Sequence, residues 1–152
     1  MSAAALPTPT PPTDLPLSAR RLGYGGLLPF VGGALLVWLV HLDVRTDVAF
    51  GLAAYAALIA SFLGGIHWGL AFRHAEPPTA WLAWGVVPSL VAWLALLMPP
   101  HAGLVVQGVL IAACYGVDRR LYPQQGVARW LTLRFRLSAV AALCCFIGAA
   151  GA

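Results

Sequence analysis

The chain has 152 residues, 61% of them hydrophobic and 9% charged, and its formal net charge of +4 comes from nine arginines and no lysine. A soluble domain carries about 25% charged residues. So little polar surface cannot cover a water-soluble globule, which leaves an integral membrane protein built from helices. Basicity in such a protein is read by where the arginines fall rather than as a nucleic-acid signal, and no nucleic-acid partner is expected.

Residues 1–19 form a tail rich in Pro, Thr and Ala, with Pro7, Pro9, Pro11, Pro12 and Pro16. It cannot bury enough apolar surface to order itself, so disorder is expected. Arg20-Arg21 then precede the first apolar run, 22–42, with Pro29 near its start. The run exceeds the h-region of a signal peptide and no small-residue cleavage site follows, so it reads as a retained helix. His41, Asp43, Arg45 and Asp47 suggest a tight polar loop. The second span, 48–72, holds 25 residues of which His67 alone is strongly polar. Ala53, Ala57, Ser61, Gly65 and Gly69 recur every fourth residue along it. That spacing makes a ridge where a second helix backbone could approach closely. At about 100° per residue His67 lies halfway round from Gly65 and Gly69, beside Ala60, Gly64 and Ala71. Small residues on two sides place this helix in the middle of a bundle, with Ala57, Ser61, Gly64, Gly65 and Gly69 as its packing positions.

Arg73 to Pro78 end that helix, because positions before proline disfavour continuing it. A third span covers 80–98, with Trp81, Trp84, Trp93 and a mid-helix Pro88. The fourth, 102–117, has 16 residues and would rise about 24 Å, which demands a thin bilayer or shielding by neighbours. Segment 127–136 mixes Trp130, Leu131, Leu133 and Phe135 with Arg129, Arg134 and Arg136, and suits a helix lying at the headgroup boundary. The fifth span is 137–152. The predicted fold is therefore all-α: a polytopic bundle of five transmembrane helices.

Five spans place the termini on opposite sides. One side then holds eight arginines (20, 21, 73, 119, 120, 129, 134 and 136) and the other only Arg45. Positive residues favour the cytoplasm, so the N-terminus is expected inside and the C-terminus outside. The same arginine collar, with Tyr122 and Trp130, suits the bilayer's anionic lipid headgroups or an acidic partner in another membrane protein or complex.

An ionisable group inside a membrane is a functional hypothesis by default. His67 falls about 9 Å from Arg73 along the helix axis. At that depth its candidate partners are Tyr24, Tyr115, Asp118 and Arg134. The functional reading is a small polar site for a ligand or a proton; the alternative is a hydrogen bond that locks the bundle. Haem is not expected, because a bis-histidine site needs two histidines facing each other from different helices. His41 and His101 sit at the opposite boundary, and His67 and His74 share one helix. No zinc ligand spacing is present, and Cys114, Cys144 and Cys145 lie inside apolar runs as packing residues. Neither a cofactor nor a metal is predicted. With no phosphate loop, no paired carboxylates within a span and no nucleophile beside a base, enzymatic activity has little support.

Leu-Gly-Tyr-Gly-Gly-Leu-Leu-Pro-Phe (22–30), Phe-Leu-Gly-Gly-Ile-His-Trp-Gly (62–69), Asp118 after an apolar helix, and Leu133-Arg134 followed by Leu137-Ser138 resemble one known family. It is the group of bacterial and mitochondrial inner-membrane proteins that includes animal transmembrane protein 69. The resemblance covers roughly 20–150, and Gly-Gly-Ile-His-Trp-Gly is its most specific part. Arg129-Trp130 departs from it, standing where an aromatic pair is expected. The resemblance implies a bacterial inner-membrane protein and supplies no reaction. The leading expectation is a non-enzymatic structural, assembly or accessory component. The alternatives are a channel or carrier for protons or a small molecule using His67 and Asp118, and a quinone- or haem-associated redox subunit. Five spans cannot be halved into the repeats a carrier commonly shows.

Overall fold

The computed structural model describes residues 15–152. Six α-helices follow one another: α1 (Leu17–Gly25), α2 (Leu28–Leu39), α3 (Leu42–Ala71), α4 (Thr79–Leu96), α5 (Pro100–Gln124) and α6 (Leu131–Gly151). A short 3-10 turn, Ala128–Trp130, leads into α6. They make five stretches long and apolar enough to cross a membrane, because α1 and α2 together act as the first. Among the described residues there is no strand.

Pro29 explains the interruption between α1 and α2. It has no N–H to bond the carbonyl four residues back, so the helical ladder cannot run unbroken through Gly25 to Pro29. The chain tightens at Gly26 and Leu27, whose N–H groups bond Leu22 O and Tyr24 O at 3.0 Å each. Tyr55 of α3 reaches across and donates its hydroxyl to Gly26 O at 2.8 Å, satisfying a carbonyl exposed by the break. The tail expected to lack order therefore ends earlier than predicted: residues 17–19 belong to α1, and residues 1–14 lie outside the described residues.

Other boundaries also move. The polar loop expected at 41–47 reduces to a turn at His41, and α3 begins at Leu42. Asp43 in its first turn complements the positive end of the helix dipole, so this carboxylate marks a helix start rather than a loop. The fourth span is 25 residues rather than 16, since α5 starts at Pro100 and continues through Asp118-Arg119-Arg120 to Gln124. No thin bilayer is required. Charge interrupts an apolar run without interrupting a helix. The chain then turns at Gly126, whose φ of +70° is the left-handed conformation that closes many helices. Segment 127–136 is likewise not a separate surface helix, because α6 starts at Leu131 and buries Leu133.

The long α3 is the centre of the bundle and packs against α2, α4, α5 and α6. Its closest approach is to α4, where a Cβ at Gly64 would overlap the carbonyl oxygen of Gly85. Trp68 covers this crossing and donates its indole N–H to Leu82 O at 3.0 Å. The predicted ridge divides here. Ala53 and Ala57 are buried, but a Cβ at Gly65 or Gly69 would meet nothing within 4 Å. Gly65 and Gly69 are thus not packing positions within the chain. Ala60, Gly64, His67 and Ala71 are the buried positions, with Gly64 facing α4 and His67 facing α5.

Candidate functional site

Three helices bring one polar group each to the same depth. His67 stands four residues before the end of α3, Asp118 six before the end of α5, and Arg134 three after the start of α6. The helix ends lie at the arginine-bearing end of the bundle. His67 Nε2 and Asp118 Oδ1 are 3.0 Å apart, with the two side chains 3% and 1% exposed. The other carboxylate oxygen, Oδ2, sits 2.7 Å from Arg134 Nη2. That contact has ion-pair distance without hydrogen-bond alignment, and Arg134 Nε has no acceptor. Arg134 Nη1 donates to Ser138 Oγ at 2.9 Å.

The chemistry of this cluster follows from its charges. A carboxylate held against a guanidinium only accepts hydrogen bonds, so the hydrogen of the His67–Asp118 contact belongs to Nε2 of the imidazole. With His67 neutral the cluster sums to zero: one anion, one cation and one oriented dipole. Charges with such compensation can be held away from water, whereas a lone one would be expensive. The arrangement clasps α3 to α5 and α5 to α6 through a single carboxylate.

Of the five residues predicted for a polar site, three meet. Tyr24 does not reach the clasp; its hydroxyl lies 3.4 Å from Arg136 Nη1 at the surface. Tyr115 turns the other way on α5 and packs on Phe135, ring centroids 5.4 Å apart. Two further residues join instead. Ser138 receives Arg134, and the buried Tyr122 interacts with the same guanidinium. Both stand four residues beyond a member of the clasp, Ser138 after Arg134 on α6 and Tyr122 after Asp118 on α5. The i, i+4 spacing on one helix face was the signal that could have found them. Elsewhere, Gln107 is fully buried and donates Nε2 to Ala92 O at 3.0 Å, tying α5 to α4. His74 meets Gln125 Oε1 at 2.8 Å, outside the clasp. Among the described residues no three His, Cys, Asp or Glu side chains are grouped as metal ligands.

Five stretches long and apolar enough to cross a membrane, joined internally by one buried cluster of paired charges, define a polytopic helical membrane protein. The model of the family described as protein of unknown function (DUF3429) matches residues 15–150, and the chain belongs to that family. It is 42% identical over 117 residues to transmembrane protein 69 of Xenopus tropicalis, covering 72% of this chain and 45% of that protein. It is 26% identical over 137 residues to transmembrane protein 69 of Mus musculus, covering 88% of this chain and 56% of the mouse protein. The resemblance read from the 22–30 and 62–69 motifs therefore holds, and the chain spans about half the length of the curated relatives it matches. No solved structure matches it.

Proposed function

We propose that this chain is a non-enzymatic membrane bundle serving as a structural, assembly or accessory component of a membrane complex. The observation that carries the reading is the clasp itself. His67, Asp118 and Arg134 are directed at one another, joining three helices. A polar cluster whose charges are paired in this way fixes helix positions and leaves one stable arrangement, a common packing device in membranes. A proton or solute path through His67 and Asp118 has less support. Both side chains are nearly sealed, and each is the other's partner.

The arginine distribution supports an orientation with the N-terminus cytoplasmic and the C-terminus outside, in a bacterial inner membrane. The ends of α3 and α5 and the starts of α1, α4 and α6 lie together. Near them are eight of the nine arginines, with Arg45 alone at the opposite end. Anionic headgroups of the cytoplasmic leaflet would meet that collar.

The test is purification of the full chain from its native membrane in mild detergent. A reproducible stoichiometric membrane partner is expected, and a chain that always emerges alone would overturn the accessory role. His67→Leu separates the clasp from a transport site. It should lower thermal stability and yield, with any functional loss following from loss of protein. A His67→Leu protein with wild-type stability and no function would favour transport instead.

A further inference from the structure

A cavity of about 550 Å³ lies between the first span and the neighbouring faces of α3, α5 and α6. Small-molecule sites in proteins commonly fall between about 300 and 1,000 Å³ and are mostly apolar with a few polar groups at fixed points. This one has that composition. Its walls are mainly aliphatic and aromatic, with Leu27 and Phe30 from the first span, Ile59 and Ile66 from α3, and Leu137 and Ala141 from α6. The lining side chains that carry polar atoms are Tyr122, Trp130, Arg134 and Ser138.

Those four are not scattered. Trp130, Arg134 and Ser138 are spaced by four, on one stripe where the 3-10 turn runs into α6, and Tyr122 is in the last turn of α5. All belong to the arginine-bearing end. The lining further along, at Phe30, Ile59, Ile111 and Ala141, is wholly apolar. The space is thus polar at one end and apolar along its length, the shape of a molecule with a head and a tail. Leu22 and Phe62 also line it while remaining 78% and 66% exposed, so it reaches the surface of the bundle through apolar side chains. Such a mouth admits a ligand from lipid rather than from water.

The charge at the polar end narrows the head group. Arg134 would repel a cation. Asp118 already balances Arg134, so an anionic head would add negative charge that nothing in the clasp offsets. What remains in demand is an acceptor without charge. Arg134 has a buried Nε with no acceptor, and Ser138 and Tyr122 carry hydroxyls. We propose that this cavity binds an uncharged, largely apolar membrane molecule through a carbonyl oxygen placed at Arg134, Ser138 and Tyr122, with its tail along Ile66 and Ala141. Two membrane sources share that chemistry, a tailed quinone and an acyl-ester lipid. The inference does not depend on the accessory role.

Binding is tested with the full chain in detergent, reading thermal stability and tryptophan emission against three probes. These are a benzoquinone with a decyl tail, dioctanoylglycerol, and decanoate as an anionic counterpart. Saturable stabilisation by the quinone or the diacylglycerol, with decanoate weaker by tenfold or more, is expected, and the stronger of the two names the source. Ala19 is a half-buried lining residue of α1, and Ala19→Phe should fill part of the space and weaken binding at least tenfold. Leu22→Trp, at an exposed position of the mouth, does the same should the first variant not fold. Leu90→Phe, on the exposed surface of α4 away from the cavity, should leave affinity unchanged. Equal effects of all three variants, or no saturable binding, would overturn the site. Tighter binding of decanoate would overturn the uncharged head.

Discussion

At the end of the bundle that carries eight of the nine arginines, α3, α5 and α6 are joined by His67, Asp118 and Arg134. Towards the other end the same three helices meet through Leu52, Leu104 and Gly148, where a Cβ added to Gly148 would come within 2.6 Å of Leu52 Cδ2 and 3.4 Å of Leu104 Cδ1. Nearby, a Cβ on Gly103 would stand 2.5 Å from Ala95 O, so α4 and α5 also touch backbone to side chain position. The two regions differ in what they cannot tolerate. The clasp depends on every charge having its partner, so it fails when atoms are removed. The glycine contacts depend on absent side chains, so they fail when atoms are added. Neither region relies on the hydrophobic effect between helices, which lipid cancels; close packing and satisfied polar groups are what remain.

The largest test of this contrast removes the shared member of the clasp. Asp118→Leu leaves Arg134 buried without a counter-charge, and breaking a buried pair in this one-sided way costs about 3–5 kcal/mol. Adding Arg134→Met should recover most of that loss, because the uncompensated charge leaves with the side chain. Unfolding in mixed micelles measures both variants. A single variant within about 1 kcal/mol of the parent would show that the charges are not the fastener.

Addition at the glycine contacts comes next. Gly103→Ala meets a backbone carbonyl rather than the end of a flexible chain, so one helix must shift. Forcing a methyl group into a packed contact costs about 1–3 kcal/mol. Gly148→Ala should cost less than Gly103→Ala, since the atom it meets first is a leucine methyl that can turn aside. The reverse order, measured by the same unfolding, would mean that the α5–α4 contact is looser than the α6–α3 contact.

How much of this could be read in advance differs between the two regions. Five spans, and α3 at their centre, followed from runs of apolar residues and from small residues on two helix faces. His67, Asp118 and Arg134 were legible because an ionisable group in a membrane needs a partner at its own depth. Depth, however, does not give direction around a helix. Tyr24 and Tyr115 lie at the right level and face elsewhere, one towards Arg136 and the other towards Phe135. The glycine contacts were less legible. A ridge of small residues marks where a helix could approach, and only the packing decides whether it does; Gly64 is covered and Gly65 is not. The extents of α5 and α6 differ from the sequence expectation because charge does not by itself mark a helix end. Asp118 and Arg134 lie within helices, and each neutralises the other.

Tyr24→Phe is a smaller perturbation. The lost contact is a 3.4 Å approach to Arg136 at the surface, where water and headgroups compete for both groups. Exposed pairs of this kind contribute little, and the expected loss in the same unfolding measurement is small. A loss comparable with that of His67→Leu would place Tyr24 back among the residues that hold the bundle together.

The smallest expected effect belongs to Gly65→Ala, and its value lies in its neighbour. Gly64→Ala drives a methyl group onto the carbonyl of Gly85 and should cost about 1–3 kcal/mol, while Gly65→Ala one residue later meets open space. Propensity adds little difference, because a helix separated from its bundle stays helical in lipid. The Gly65 variant should therefore stay within about 0.5 kcal/mol of the parent when the purified chain is unfolded alone. In its native membrane the same variant asks something else. If another chain rests its backbone on the Gly65–Gly69 face, Gly65→Phe should release it during purification while leaving the isolated bundle as stable as before. A variant that keeps every co-purifying protein would leave that face to lipid, and the glycines and the histidine of α3 would then share only a sequence motif, each serving its own side of the helix.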